Sequence, residues 1–234
     1  MRYTTRETEV EVTLEPDSPA LASIVLLHGL GADGWDFVPI VDELRLQDAV
    51  PVRFVFPHAP LRAVTVNAGH VMRAWYDIKA FTPQGRADAA GLAESVRAVG
   101  GYLHAEIAGG IPASRIVLAG FSQGGAVALA AGLRFPLRLA GLLAMSSYLP
   151  FPERLTAEKA RANQDVPILM CHGRMDPVVG LAMGTEARDA LRAEGYAVEW
   201  HEYPMAHEVC AAELAQVARW LGSVLGEPAA RRDA

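Results

Sequence analysis

The sequence predicts an α/β architecture: one domain on a mostly parallel sheet, with helices covering both faces. Three observations carry this expectation. Short apolar runs of strand length alternate with segments of helical period along the chain. Several runs are continuous, such as Ser23-Ile24-Val25-Leu26-Leu27, which marks strands buried on both faces. No repeat and no linker-like composition interrupts the series, and 234 residues suffice for one large core. The domain is expected over residues 1–226, followed by a polar tail at 227–234.

Each element has its own signal. Glu9 to Leu14 alternates, as a half-exposed strand near a sheet edge does. Pro16-Asp17-Ser18-Pro19 is a turn. The Ser23–Leu27 run leads into the glycine-rich loop His28-Gly29-Leu30-Gly31-Ala32-Asp33-Gly34. Trp35, Val38, Val41 and Leu44 recur with helical spacing. Val52 to Phe56 is a strand stopped by Pro57-His58-Ala59-Pro60. From Leu61 to about Gly85 no period is clean, and a long functional loop is expected.

Leu92, Val96, Val99, Leu103 and Ile107 then define an amphipathic helix, closed by Gly109-Gly110-Ile111-Pro112. Ile116 to Ala119 is a strand, and a small-residue helix follows from Gly125. Ala140 to Met145 is the next strand, then a loop with a helical piece reaches Gln164. Pro167 to Cys171 is a strand, Leu181 to Glu194 a helix, and Ala197 to Tyr203 alternates like an outer strand. Leu214, Val217, Trp220, Leu221 and Val224 mark the last helix.

Net charge of -6 argues against nucleic acid as a partner. Arg231-Arg232 is the one basic cluster, and it falls in the tail. Met1 to Glu7 is polar without an apolar stretch behind it, so no targeting segment is expected. No apolar run reaches the length of a membrane span, so stable membrane insertion is not expected. Cys171 and Cys210 stand in no C-x-x-C pattern and read as reduced packing thiols. A cytoplasmic protein follows as the expectation. A homodimer stays open.

In open α/β sheets, ligands gather beyond the C-terminal strand ends. Gly120-Phe121-Ser122-Gln123-Gly124 lies between a strand and a helix, the context of a nucleophile elbow. Asp176 follows the Pro167–Cys171 strand, and His207 follows the last strand. Serine, aspartate, histidine is the chain order of α/β-hydrolase triads. A serine hydroxyl needs a base, which His207 would provide, and Asp176 would orient that base. The backbone amides of Leu30 and Gln123 would form an oxyanion hole. His28 and His172 fall in strand-end loops and read as loop-holding residues. No metal-ligand spacing, dinucleotide fingerprint or P-loop occurs, so no metal or cofactor is expected.

These pieces together resemble the phospholipase/carboxylesterase family, which includes acyl-protein thioesterases and small bacterial carboxylesterases. The matching segments are Leu27 to Gly31, Phe56 to Pro60, Arg73 to Ile78, Gly120 to Gly125, His172 to Val179 and His207 to Cys210, in the family's order across nearly the whole chain. Arg73-Ala74-Trp75-Tyr76-Asp77-Ile78 and His207-Glu208-Val209-Cys210 look most like the bacterial carboxylesterases. The resemblance implies the same triad and oxyanion amides. It also implies an acyl groove lined by Trp75, a residue that could equally be core. Met175 either faces that groove or packs. Ala206 stands where the family often has glycine, and Gly180 where it often has proline.

The implied activity is a serine carboxylesterase, with a small acyl ester as substrate. No large lid is inserted between Leu143 and Pro167, which suits short to medium acyl chains. A thioesterase or lysophospholipase on the same triad is the alternative. A binding protein with an idle triad is the rival from another class.

Overall fold

In a computed structural model of the chain, residues 2–44, 46, 50–80 and 88–226 are described. The predicted tail, with Arg231 and Arg232, and the end of the Leu61–Gly85 stretch lie outside them. An eight-stranded sheet runs in the order β1-β2-β4-β3-β7-β8-β9-β10. Its strands are β1 (Tyr3–Glu7), β2 (Glu11–Pro16), β3 (Ala22–Leu27), β4 (Val52–Pro57), β7 (Ile116–Phe121), β8 (Gly141–Met145), β9 (Ile168–Gly173) and β10 (Val198–Tyr203). β1 and β2 join antiparallel at one edge, and every pairing from β4 to β10 is parallel.

The alternation of side chains across the sheet separates two cores. Val25, Leu27, Ile116 and Leu118 face helices α2 (Ala89–Ala108), α3 (Gln123–Arg134), α4 (Leu155–Glu158) and α5 (Leu181–Ala193). Ile24, Leu26, Val117 and Ala119 face α1 (Val41–Leu44) and α6 (Ala211–Leu225). Each buried Val, Leu or Ile side chain among these contributes about 1.5–3 kcal/mol of transfer free energy. Asp88 caps α2, its carboxylate accepting from the Gly91 N–H at 2.9 Å. Helix α3 is buried nearly throughout, so its residues are mostly small or apolar on all sides.

Two elements differ from the sequence expectation. Tyr3–Glu7 forms edge strand β1, mostly exposed, held by backbone pairing to β2. The Leu61–Gly85 stretch contains a hairpin, β5 (Leu61–Val64) with β6 (His70–Arg73). Leu61 and Val71 stand exposed on it at 67% and 63%, so no inward-facing alternation marks it. The strand ends bring the predicted site residues together. Leu27 is level with Gly120, Phe121 with Met145, and Gly173 with Tyr203. The loops that follow therefore open on the same edge of the sheet.

Candidate active site

Ser122 occupies the turn between β7 and α3 at φ 54°, ψ −120°. Positive φ is rare for a residue with a side chain and costs on the order of 1–3 kcal/mol. Three contacts hold it there. Its N–H donates to the Met145 carbonyl at 2.9 Å, and its carbonyl accepts from the Ala126 N–H and the Ser147 hydroxyl. The flanking glycines are required by space. A Cβ at Gly120 would lie 2.3 Å from the Gly124 carbonyl carbon, and one at Gly124 would lie 2.2 Å from the Leu27 oxygen.

His207 and Asp176 reach Ser122 from the loops after β10 and β9. The His207 Nδ1–H donates to Asp176 Oδ2 at 2.7 Å. That leaves Nε2 to accept from the Ser122 hydroxyl, at 2.9 Å. The other Asp176 oxygen accepts from the Val178 and Val179 amides, both at 2.8 Å. The two loops are stitched together: Arg174 N–H donates to the Tyr203 carbonyl and Met175 N–H to that of Met205. The Phe121 ring lies against the His207 imidazole, 4.8 Å between centroids.

His172 and His28 both hold loops. His172 Nε2–H donates to the Val179 carbonyl at 2.7 Å, bracing the residue whose amide holds Asp176. Burial lowers the His172 pKa, which keeps the ring neutral. His28 Nδ1–H donates to the Gly29 carbonyl while Nε2 accepts from the Ala59 amide. Burial pushes the His28 pKa down to about 4, so one neutral tautomer serves both bonds.

The Leu30 loop and the N-terminus of α3 supply the predicted amides. Among the described residues, neither the Leu30 nor the Gln123 backbone N–H has an acceptor. The positive end of the α3 dipole reinforces this position for a developing anion. Trp75 departs from the groove implied by resemblance. It is 2% exposed and belongs to the core, its indole N–H donating to the His28 carbonyl. Met175, in contrast, is 63% exposed beside Asp176, so it does not serve as packing. The Gln123 side chain was not anticipated. Its carboxamide accepts from Trp75 N–H at 2.9 Å and donates to the Tyr76 carbonyl at 2.7 Å. Among the described residues no cluster of three His, Cys, Asp or Glu side chains could hold a metal ion. No helix among them is long and apolar enough to cross a membrane.

A family model described as Phospholipase/Carboxylesterase matches residues 8–225. The chain belongs to this family. Acyl-protein thioesterase 1 of Neurospora crassa is 40% identical over 202 residues, covering 82% of each chain. The crystal structure of Arabidopsis thaliana SOBER1 superposes with a TM-score of 0.83 at 31% identity, over 87% of this chain and 99% of that one. Esterase PE8 superposes with a TM-score of 0.80 at 27% identity, over 96% and 100%. As a member of the phospholipase/carboxylesterase family, the protein is an α/β-hydrolase and an ester-hydrolysing serine hydrolase.

The two departures from the family pattern have local explanations. Ala206 does not have positive φ, so the missing glycine is not needed there. Gly180 caps α5 at φ −55°, ψ 146°, with nothing within 4 Å of a Cβ placed on it. Among the described residues its N–H has no acceptor. Proline fits such a position and restricts the unfolded chain. Gly180→Pro should therefore stabilise the protein by about 0.4–1 kcal/mol. Urea unfolding would read this as a raised midpoint at constant slope. A lowered midpoint would show that the backbone before residue 180 rejects proline.

Proposed function

We propose that this family member is a carboxylesterase for short- to medium-chain acyl esters, with Ser122 as nucleophile. The observation that carries the reading is the continuous chain from Ser122 Oγ through His207 to Asp176, with links of 2.9 and 2.7 Å. Ser122 Oγ attacks the ester carbonyl carbon while its proton passes to His207 Nε2. The Leu30 and Gln123 amides stabilise the tetrahedral oxyanion. The bond to the alcohol oxygen then breaks as His207 returns the proton to that oxygen. Water attacks the acyl-enzyme, giving its proton to His207. The Ser122–acyl bond breaks, the proton returns to Oγ, and the carboxylic acid leaves. Asp176 holds the imidazole tautomer throughout and stabilises its cationic form.

A cavity of about 430 Å³ between residues 148–154 and α5 would take the acyl chain. Its wall begins at Tyr148, next to the Ser147 that bonds the Ser122 carbonyl. Leu149, Phe151, Met183 and Ala187 add apolar surface. That volume is at the small end for ligand pockets. The free thiols Cys171 and Cys210 fit a reducing compartment, and we place the protein in the cytoplasm.

A second reading is an acyl-protein thioesterase, favoured by the name of the Neurospora crassa relative. The triad would be unchanged. One experiment separates the two: kcat/KM for aryl esters of two to sixteen carbons, an acyl thioester and a lysophospholipid. The carboxylesterase reading expects the highest value on a short or medium ester. It also expects Met183→Trp to lower kcat/KM for a medium-chain ester about tenfold while sparing acetate, since lost pocket contact is worth on the order of 1–3 kcal/mol. A preference for the thioester would favour the second reading, and one for long chains alone would remove the first.

A further inference from the structure

The two proposed oxyanion donors come from separate elements, Leu30 from the loop after β3 and Gln123 from the start of α3. We propose that Trp75 is the positioning residue that fixes the distance between them. This rests on the serine-esterase reading above and adds to it a role for a buried residue that touches no substrate.

The Leu30 loop is anchored on both sides of Leu30, and both anchors lie on one short segment. Before Leu30, the His28 carbonyl accepts from the Trp75 indole N–H at 2.9 Å. After it, the Gly31 N–H donates to the Arg73 carbonyl, also at 2.9 Å. The same segment is fastened to the other donor. Trp75 N–H donates to the Gln123 carboxamide oxygen, and the carboxamide N–H donates to the Tyr76 carbonyl. Trp75 thus holds the Leu30 loop with its side chain and the Gln123 side chain with its backbone. The Ser95 hydroxyl donates to the Trp75 carbonyl and fixes the strut to α2. The His28 ring packs on the indole, 5.3 Å between centroids.

His28, Trp75, Tyr76, Ser95 and Gln123 are all buried, so the bonds among them exchange poorly with water, whereas the Gly31–Arg73 bond lies nearer the surface. An oxyanion hole stabilises charge only if its donors are aimed before the reaction starts. Losing one donor outright costs on the order of 10²–10³ in kcat, and misplacing a reacting group by an ångström costs about 10². Releasing the His28 anchor leaves both amides present and lets one drift.

The test is Trp75→Phe, which keeps an aromatic ring and removes the indole donor. A second variant replaces Trp75 with 3-benzothienylalanine, nearly isosteric and without the N–H, in case phenylalanine loosens the core. Wild type and variants are compared for kcat and KM on an activated short-chain ester. Affinity is measured for an alkyl boronic acid, which becomes tetrahedral on serine, and for a planar, unreactive amide analogue of the ester.

The expected result is a fall in kcat of about 10–100-fold with KM within threefold. Boronate affinity should fall in step with kcat/KM, and amide affinity should hold. The inference is overturned if the benzothienyl variant keeps kcat within twofold of wild type. It is equally overturned if boronate and amide affinity fall together, because that is general damage to the site. Ser122→Ala, assayed alongside, separates the two levels. Full activity in that variant removes the esterase reading itself, whereas an inactive Ser122→Ala beside a normal Trp75 variant removes only the strut.

Discussion

Ser122→Ala is expected to lower kcat by on the order of 10⁶ with the fold intact. The hydroxyl contacts His207 Nε2 at 2.9 Å, and the bonds that shape the elbow are made by the Ser122 backbone. Losing Oγ therefore removes the nucleophile and leaves the His207–Asp176 pair in place. A fluorophosphonate probe should label wild type and not the variant. Near-full ester hydrolysis by Ser122→Ala would end the assignment. The same position offers a stability test, because its φ of 54° is a conformation glycine adopts freely. Ser122→Gly should be as inactive as Ser122→Ala and more stable than it by about 1 kcal/mol, the released strain exceeding the entropy cost of glycine. Equal denaturant midpoints would show that the elbow stores no strain at that residue.

The second large effect is on stability and centres on Glu213, near the start of α6. Its side chain is fully buried, and neither carboxyl oxygen has a hydrogen-bond partner among the described residues. Burial pushes its pKa up from 4.5 to about 8, against the opposing pull of the Cys210 backbone N–H, which makes no well-aligned bond to it. The neighbouring Cys171 and Tyr203 are also pushed upward, mainly by burial, and stay protonated over this range.

The sign follows from linkage. Between pH 4.5 and about 8 the folded chain holds a proton that the unfolded chain has released. Stability from this group is complete below pH 4.5 and is lost as pH rises through the folded value. The total is on the order of a few kcal/mol. Glu213→Gln keeps the shape and cannot ionise. It should match wild type near pH 4, exceed it by a few kcal/mol at pH 9, and flatten the profile between them. Urea midpoints at these pH values measure this, and parallel profiles for the two proteins would refute it.

The legible parts of the fold were those where one local pattern decides the outcome. β3, β7, β8 and β9 are buried on both faces, so their sequences are continuous apolar runs. β1 escaped notice because an exposed edge strand needs only backbone partners, and its residues are polar. The β5–β6 hairpin escaped because Leu61 and Val71 point outward. At the site, Ser122, Asp176 and His207 stood out because each follows a strand and the elbow glycines are sterically required. The Gln123 carboxamide could not be read that way. Its partner Trp75 lies 48 residues away in sequence, and only the folded sheet brings them together. The place of Trp75 in the core has the same origin, since an aromatic next to a motif carries no mark of which way it faces.

His207 lies 85 residues after Ser122, and 31 after Asp176. On the ribosome Ser122 therefore emerges long before His207, its proposed base. A nascent chain carries a hydroxyl no more reactive than any other, because the two strands that deliver its partners have yet to be made. On the proposed reading, the timing of Ser122 activation is a property of the chain itself. It is built into the order in which the sheet is completed.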